Sequence, residues 1–371
     1  MAGVKTAGKI LAGTITIVVI LFLIILIVIW FNSSGKLEPI TDINDQEIAT
    51  GISEKVYHDI NGLQQGMFLR GEDASKPVLL FLHGGPGSPE LAIGYGIEDK
   101  NARLEQEFVV CYWDQRGAGM SYSKDINIST MTPEQLVEDT KEVTSYLKER
   151  FNQEKIYLLG HSWGSYLGIK TIEKYPELYH AFMGVGQVSD QTESEKLAYE
   201  YMLKEATQRN DKSAIKALEK FDVNAADFPQ QKYTMGTRTN LMNKYGIGTT
   251  HEKSSMGAMI IDLLMFSGYT VGDKIGYMRG ILFSLENVFP YVLDDSLFES
   301  STKFEVPVYI FHGDYDYQVS QELAREYCGV IEAPDKQYYA FTNSAHSPLW
   351  EEPAKFMEDV RDVLRRVEEG F

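Results

Sequence analysis

A serine held between two glycines, at the junction of an apolar run and a helix-like run, points to nucleophilic chemistry. Residues 156–170 read IYLLGHSWGSYLGIK, with Gly160-His161-Ser162-Trp163-Gly164 at the junction. A tight strand-to-helix turn needs small neighbours, and the serine then projects above the sheet instead of packing into it. The helix that follows directs its positive end at the site, which favours developing negative charge. The pentapeptide alone is a weak signal, and its context decides: a strand before it and a helix after it.

A serine nucleophile needs a base, and the base needs an orienting acid, in the chain order Ser, Asp or Glu, His for a strand–turn–helix nucleophile. Four histidines follow Ser162: His180, His251, His312 and His346. His180 precedes any acid from the late strands, His251 falls in a helical insertion, and His312 stands at the end of its own strand before the acid. His346, in the loop FTNSAHSPLWEEP, is left as the general base. Asp314 and Asp316 both qualify as the acid in FHGDYDYQV. Asp316 stands three residues past Gly313, which gives the loop room to turn, and the preference for it over Asp314 rests in part on the family resemblance given below. The oxyanion needs two N–H donors. Trp163 supplies one, and the Gly85 N–H of His83-Gly84-Gly85-Pro86-Gly87 supplies the other.

Positioning these groups requires buried parallel strands. Pro77–Leu82 and Phe108–Trp113 are continuous apolar runs, as such strands read. Further strands are expected at Ile156–Leu159, His180–Val185, Val306–Phe311 and Gln337–Phe341. Helices are expected over Thr132–Arg150, Ser165–Tyr175 and from Pro353 onward. Thr132 is the N-cap of the first, with Pro133 at its first position and Gln135 completing a capping box. Residues 189–300 are helical in flavour and rich in aromatics and methionines. Strand–helix alternation on both sides of that block predicts an α/β fold: a mostly parallel central sheet, flanking helices and an inserted helical cap.

The expected organisation is a cytoplasmic N-terminus over 1–9, a transmembrane anchor over 10–31 and a linker over 32–45. A catalytic core over 46–188 and 301–371 then surrounds a cap over 189–300. The anchor rests on Ile10–Phe31, ILAGTITIVVILFLIILIVIWF, which carries no charge and is long enough to cross a bilayer as a helix. No A-x-A-like cleavage site follows, as a signal peptide would require. Lys5 and Lys9 precede the run and only Lys36 follows closely, so the N-terminus is expected in the cytoplasm and the catalytic domain outside the cell membrane. The 371-residue chain has a formal charge of −18, which makes nucleic acid a poor partner. Its two cysteines, Cys111 and Cys328, form no disulfide framework. No H-E-x-x-H or ligand-spaced Cys/His cluster suggests a metal. The sequence offers no handle on oligomeric state.

Together, LHGGPG (Leu82–Gly87), WDQRGAGMS (Trp113–Ser121), GHSWGS (Gly160–Ser165), the HGDYD loop and the SAHSP loop resemble the proline iminopeptidase-like branch of the α/β-hydrolases. The resemblance covers about Asp45 to the C-terminus, weakly in the cap. It implies a serine hydrolase that removes N-terminal residues, often proline, from short peptides, with no cofactor. It supports Ser162, Asp316 and His346 as the triad, and gives Arg116 a structural role. Family members also cleave esters or other amides, so an esterase or lactonase is the runner-up and the substrate is a short peptide or another small acyl compound. Many members hold the substrate's free amine with acidic residues, some with a Glu just after the catalytic Asp. Here that position is Tyr317, and Glu286 is the candidate to supply the carboxylate. The serine in the elbow disfavours Asp-nucleophile relatives. A complete Ser–Asp–His set argues against a catalytically silent receptor on the same fold.

Overall fold

The computed structural model describes residues 14–16, 19–20, 23–94, 99–225, 227–230, 232–252 and 256–371. Among the described residues eight strands build one sheet: β1 Ile52–Ile60, β2 Leu63–Gly71, β3 Val78–Leu82, β4 Val109–Trp113, β5 Ile156–His161, β6 Tyr179–Val185, β7 Val308–Gly313 and β8 Lys336–Phe341. They lie in the order β1-β2-β4-β3-β5-β6-β7-β8. From β4 to β8 in that order every neighbouring pair is parallel, and β2 pairs antiparallel with both β1 and β4. The expected parallel sheet is therefore present, with an antiparallel hairpin added at one edge.

Successive side chains of a strand face opposite sides, and here both sides are covered. Leu80, Leu82, Leu158 and Ile310 join one apolar cluster with Val143, Leu147 and Leu167. These last come from helices α1 (Pro133–Phe151) and α2 (Trp163–Lys174). Leu79, Phe81, Leu159 and Phe311 join a second cluster with Phe356, Val360 and Val363 of the C-terminal helix, Pro353–Glu369. Two-sided coverage explains why these strands read as continuous apolar runs.

Thr132 caps α1 as expected, its side chain accepting the Gln135 N–H. The capping box is not completed: the Gln135 side chain donates to Asp139 Oδ1 at 2.9 Å. Asp139 is a buried carboxylate that draws the amide away from the helix end. Between β6 and β7 run helices α3 (Gln191–Gln208), α4 (Lys212–Leu218), α5 (Thr239–Tyr245), α6 (Met256–Met265), α7 (Val271–Asn287) and α8 (Phe289–Asp294). A π-helical turn, Tyr233–Arg238, precedes α5. Part of this block has its own core, which includes Ala198, Tyr199, Met202, Tyr233 and Leu241. Helix α9 (Gln321–Val330) returns the chain to β8, and α10 is the C-terminal helix.

Among the described residues, no helix is long and apolar enough to cross a membrane. Residues 14–16, 19–20 and 23–31 of the expected anchor are helical, and 10–13, 17–18 and 21–22 lie outside the described residues, as do 1–9. The expected linker lies against the body: Ile40 is buried, and Arg103 donates to the Thr41 carbonyl at 2.7 Å.

Candidate active site

Ser162 stands between β5 and α2 with φ 55° and ψ −121°. A non-glycine residue in that region costs of order 1–3 kcal/mol, so the surroundings must hold it. The Ser162 N–H donates to the Val185 carbonyl at 2.8 Å. A Cβ on Gly160 would lie 2.1 Å from the Gly164 oxygen, and one on Gly164 would lie 2.0 Å from the Leu82 oxygen. Close backbone approach thus requires both glycines. Ser165 Oγ donates to the Ser162 carbonyl at 2.6 Å and accepts the Val188 N–H at 2.9 Å, which ties the elbow to the loop after β6.

Asp316, beyond the end of β7, is fully buried. Its Oδ1 accepts the Gln318 and Val319 N–H groups, each at 2.9 Å. Its Oδ2 lies 2.8 Å from His346 Nδ1 and 3.1 Å from His312 Nε2. Burial alone would raise the carboxyl's pKa, but the two imidazoles outweigh it and hold the group well below the ordinary carboxylate range. Against that carboxylate His346 Nδ1 carries a proton, which leaves Nε2 as the acceptor. Nε2 is buried and has no hydrogen-bond partner among the described residues. Burial lowers the His346 pKa even though Asp316 pulls upward, which favours the neutral ring. Asp314 is half-exposed and lies 3.9 Å from Arg325, away from His346's partners.

Gly85 adopts φ +111°, and a Cβ there would meet the Gly87 nitrogen at 2.8 Å. Gln115 locks this loop to the elbow. Its side chain accepts from Trp163 Nε1 at 2.9 Å and donates to the His83 carbonyl at 3.1 Å. Its N–H meets His83 Nε2 at 3.1 Å. His83 therefore carries its proton on Nδ1, which points to the Gly84 carbonyl at 2.9 Å. Burial pushes the His83 pKa down to about 4 and keeps the ring neutral. The Trp163 main-chain N–H is the first of α2 and has no acceptor within the helix. Arg116 points elsewhere. It holds the buried Asp139 through two bonds of 2.6 and 3.0 Å, joining the β4 loop to α1 as a structural pair.

A cavity of about 690 Å³ opens above the elbow, and its lining includes Gly85, Ser162, Trp163, Glu195, Arg238 and Glu286. Glu195 is buried and paired with Arg238 at 2.6 Å. Glu286 is exposed near the C-terminal end of α7, with no ion pair among the described residues. Tyr317 stacks on Tyr201 of α3 at 4.0 Å between ring centroids, so it packs against the helical block.

The sequence profile of the alpha/beta hydrolase fold family matches residues 77–353. The chain belongs to this family. The hydrolase is 34% identical over 297 residues to "Probable aminopeptidase YbaC" of Bacillus subtilis, covering 80% of this chain and 92% of that one. It is 36% identical to the proline iminopeptidase of Lactobacillus acidophilus over 99 residues, 27% of this chain and 31% of that one. The crystal structure of proline iminopeptidase from Mycobacterium smegmatis superposes with a TM-score of 0.59 at 15% identity, covering 86% of this chain and 100% of that one, a likeness of fold. The resemblance to proline iminopeptidase-like proteins read from the motifs is thus borne out.

Three groups of this α/β-hydrolase's site escaped the sequence reading. His312, set aside because it precedes the acid, is a second imidazole on Asp316, and its four-residue offset from that aspartate was the available signal. His161, inside the elbow, pairs through Nδ1 with the buried Glu90, and its Nε2 donates to the His346 carbonyl at 2.8 Å. Burial opposes charging His161, but Glu90 and the carbonyl raise its pKa, so both nitrogens act as donors. Glu90 also accepts the Gly84 N–H at 3.2 Å. The pair thereby links the base loop to the glycine loop. The third group, Glu195–Arg238, left no mark in the sequence, because helix-face glutamates and arginines are usually solvated.

Proposed function

We propose that the chain is a membrane-anchored serine hydrolase, an aminopeptidase that releases N-terminal residues, proline or similar, from short peptides. One observation carries the reading: a buried Asp316–His346 pair, with an unpartnered Nε2, fastened through His161 beside a strained Ser162. In the proposed reaction Ser162 Oγ attacks the carbonyl while His346 Nε2 takes its proton. Asp316 keeps the Nδ1 proton in place and stabilises the imidazolium. The Gly85 and Trp163 N–H groups receive the oxyanion. His346 returns the proton to the leaving amine, and water then resolves the acyl-enzyme by the same route.

Residues 189–300 act as the cap that limits substrate size, and Glu286 holds the free amine. The names of the YbaC and proline iminopeptidase relatives support the peptidase assignment. The uncharged run Ile10–Phe31 supports the anchor, with the N-terminus inside and the core outside.

A second reading, an esterase or other amide hydrolase, is favoured by the Glu195–Arg238 pair. Arg238 neutralises the buried acid of the cavity, so amine recognition falls to the exposed Glu286 alone. Paired substrates separate the two. Turnover of aminoacyl amides but not of their amino-blocked counterparts or short acyl esters is expected. Equal turnover of blocked amides and esters would remove the aminopeptidase assignment.

A further inference from the structure

The anchor's end is built into the cap. Lys274 of α7 is 4% exposed and is in no ion pair among the described residues. Its ammonium donates to the Asn32 carbonyl at 2.7 Å, to Ser33 Oγ at 2.9 Å and to the Leu264 carbonyl at 2.7 Å. Ser34 adds a bond to the Ser267 carbonyl at 3.2 Å and a bridge to Thr270. The residues just past Phe31 are therefore fixed to the turn that joins α6 to α7.

Both helices leaving that turn carry bare apolar side chains. On α6, Ile261 (60% exposed) and Met265 lie four residues apart, with Ile260 beside them. On α7, Ile275, Met278 and Leu282 (56% exposed) follow at offsets of three and four, which is one helical face. One turn further along that face stands Glu286, at the cavity that holds Ser162. Exposed apolar residues scattered singly need no explanation, but stripes that begin at an anchored junction do.

Resting on the anchor reading above, we propose that the exposed faces of α6 and α7 lie against the bilayer, so that the cap as well as the anchor contacts lipid. The occupant is the lipid surface because the helix of residues 23–31, exposed at every position but Ile29, ends at these helices' shared turn. With a chain charge of −18 the contact is apolar, not an attraction to anionic headgroups. The rim carrying Glu286 then faces the interface, where a peptide with an apolar tail would partition.

The test uses the full chain in phosphatidylcholine vesicles in which some lipids carry a quencher near the headgroup. Environment-sensitive dyes are attached singly at Ile261→Cys, Leu282→Cys, Leu26→Cys and Val330→Cys; the native Cys111 and Cys328 are buried. Val330 ends α9 just before β8, at the end of the sheet opposite the elbow. Severalfold stronger quenching at 261 and 282 than at 330 is expected. Quenching at 26, with 261 and 282 matching 330, would overturn the cap contact and leave the anchor standing. No quenching at 26 would remove the anchor reading and this proposal with it.

Discussion

The carboxyl end of the sheet and the helical block above it solve different problems. Around Asp316, His346 and Ser162 polar groups are placed by specific partners: Asp316 takes four donors, Gln115 binds two loops to the elbow, and His346 Nε2 is left open. In the block, contacts are mostly aromatic and shape-filling, such as Tyr199 and Phe228 around Tyr233, and the outer faces of α6 and α7 carry bare apolar side chains. The first region fixes residue types because proton transfer needs particular atoms at particular distances. The second fixes volumes, which many residues can fill.

Substitutions can break or sharpen that contrast. Ser162→Ala is expected to lower kcat on the order of 10⁵–10⁶-fold with the thermal midpoint nearly unchanged. Substantial residual turnover would remove the nucleophile. Asp316→Asn should cost roughly 10³–10⁴-fold by upsetting the tautomer of His346, while Asp314→Asn should change turnover less than about twofold. Equal losses at both positions would erase the distinction between the two carboxylates. In the block, Arg238→Met leaves buried Glu195 without its cation, and a stability loss of about 3–5 kcal/mol is expected in denaturant titration. No loss would mean the pair is not buried as described.

Glu286→Gln should lower kcat/KM on free-amine substrates roughly 10–100-fold, the worth of a charge-assisted hydrogen bond, and leave blocked substrates unaffected. A uniform loss would make Glu286 structural. The smallest effect is in the pH profile. In the proposed reaction His346 works as the neutral base, so activity is expected to fall as pH drops through its pKa. Burial has lowered that pKa, so the acid limb of kcat/KM should have its midpoint below about 6.5, the ordinary imidazole value. A midpoint above it would mean that Asp316, rather than burial, dominates the ring.

The same contrast decides what was legible in the sequence. The strained turn at Ser162 and the meeting of Asp316 with His346 were legible because the elbow's glycines and the chain order leave little freedom. The parallel strands could be read because two-sided burial makes them continuous apolar runs. The β1–β2 hairpin was missed although Asn61-Gly62, at φ 48° and 77°, is a strong two-residue hairpin signal. Polar Gln64, Gln65 and Arg70 interrupt the alternation there, since Gln65 and Arg70 are buried against specific partners, Asp139 and Glu105. Glu90, the partner of His161, lies 71 residues from it, a pairing that only the fold creates. Thr132 was legible as a cap, but the fate of Gln135 depended on a carboxylate whose burial no local pattern marks.

The most direct test of the account is covalent. The full-length protein would be treated with a fluorophosphonate, which reacts with activated serines, and the adduct mapped by peptide mass spectrometry. The account predicts a single adduct on Ser162, abolished by His346→Ala and strongly slowed by Asp316→Asn. An adduct on another serine, or labelling of Ser162 that is indifferent to His346, would contradict it.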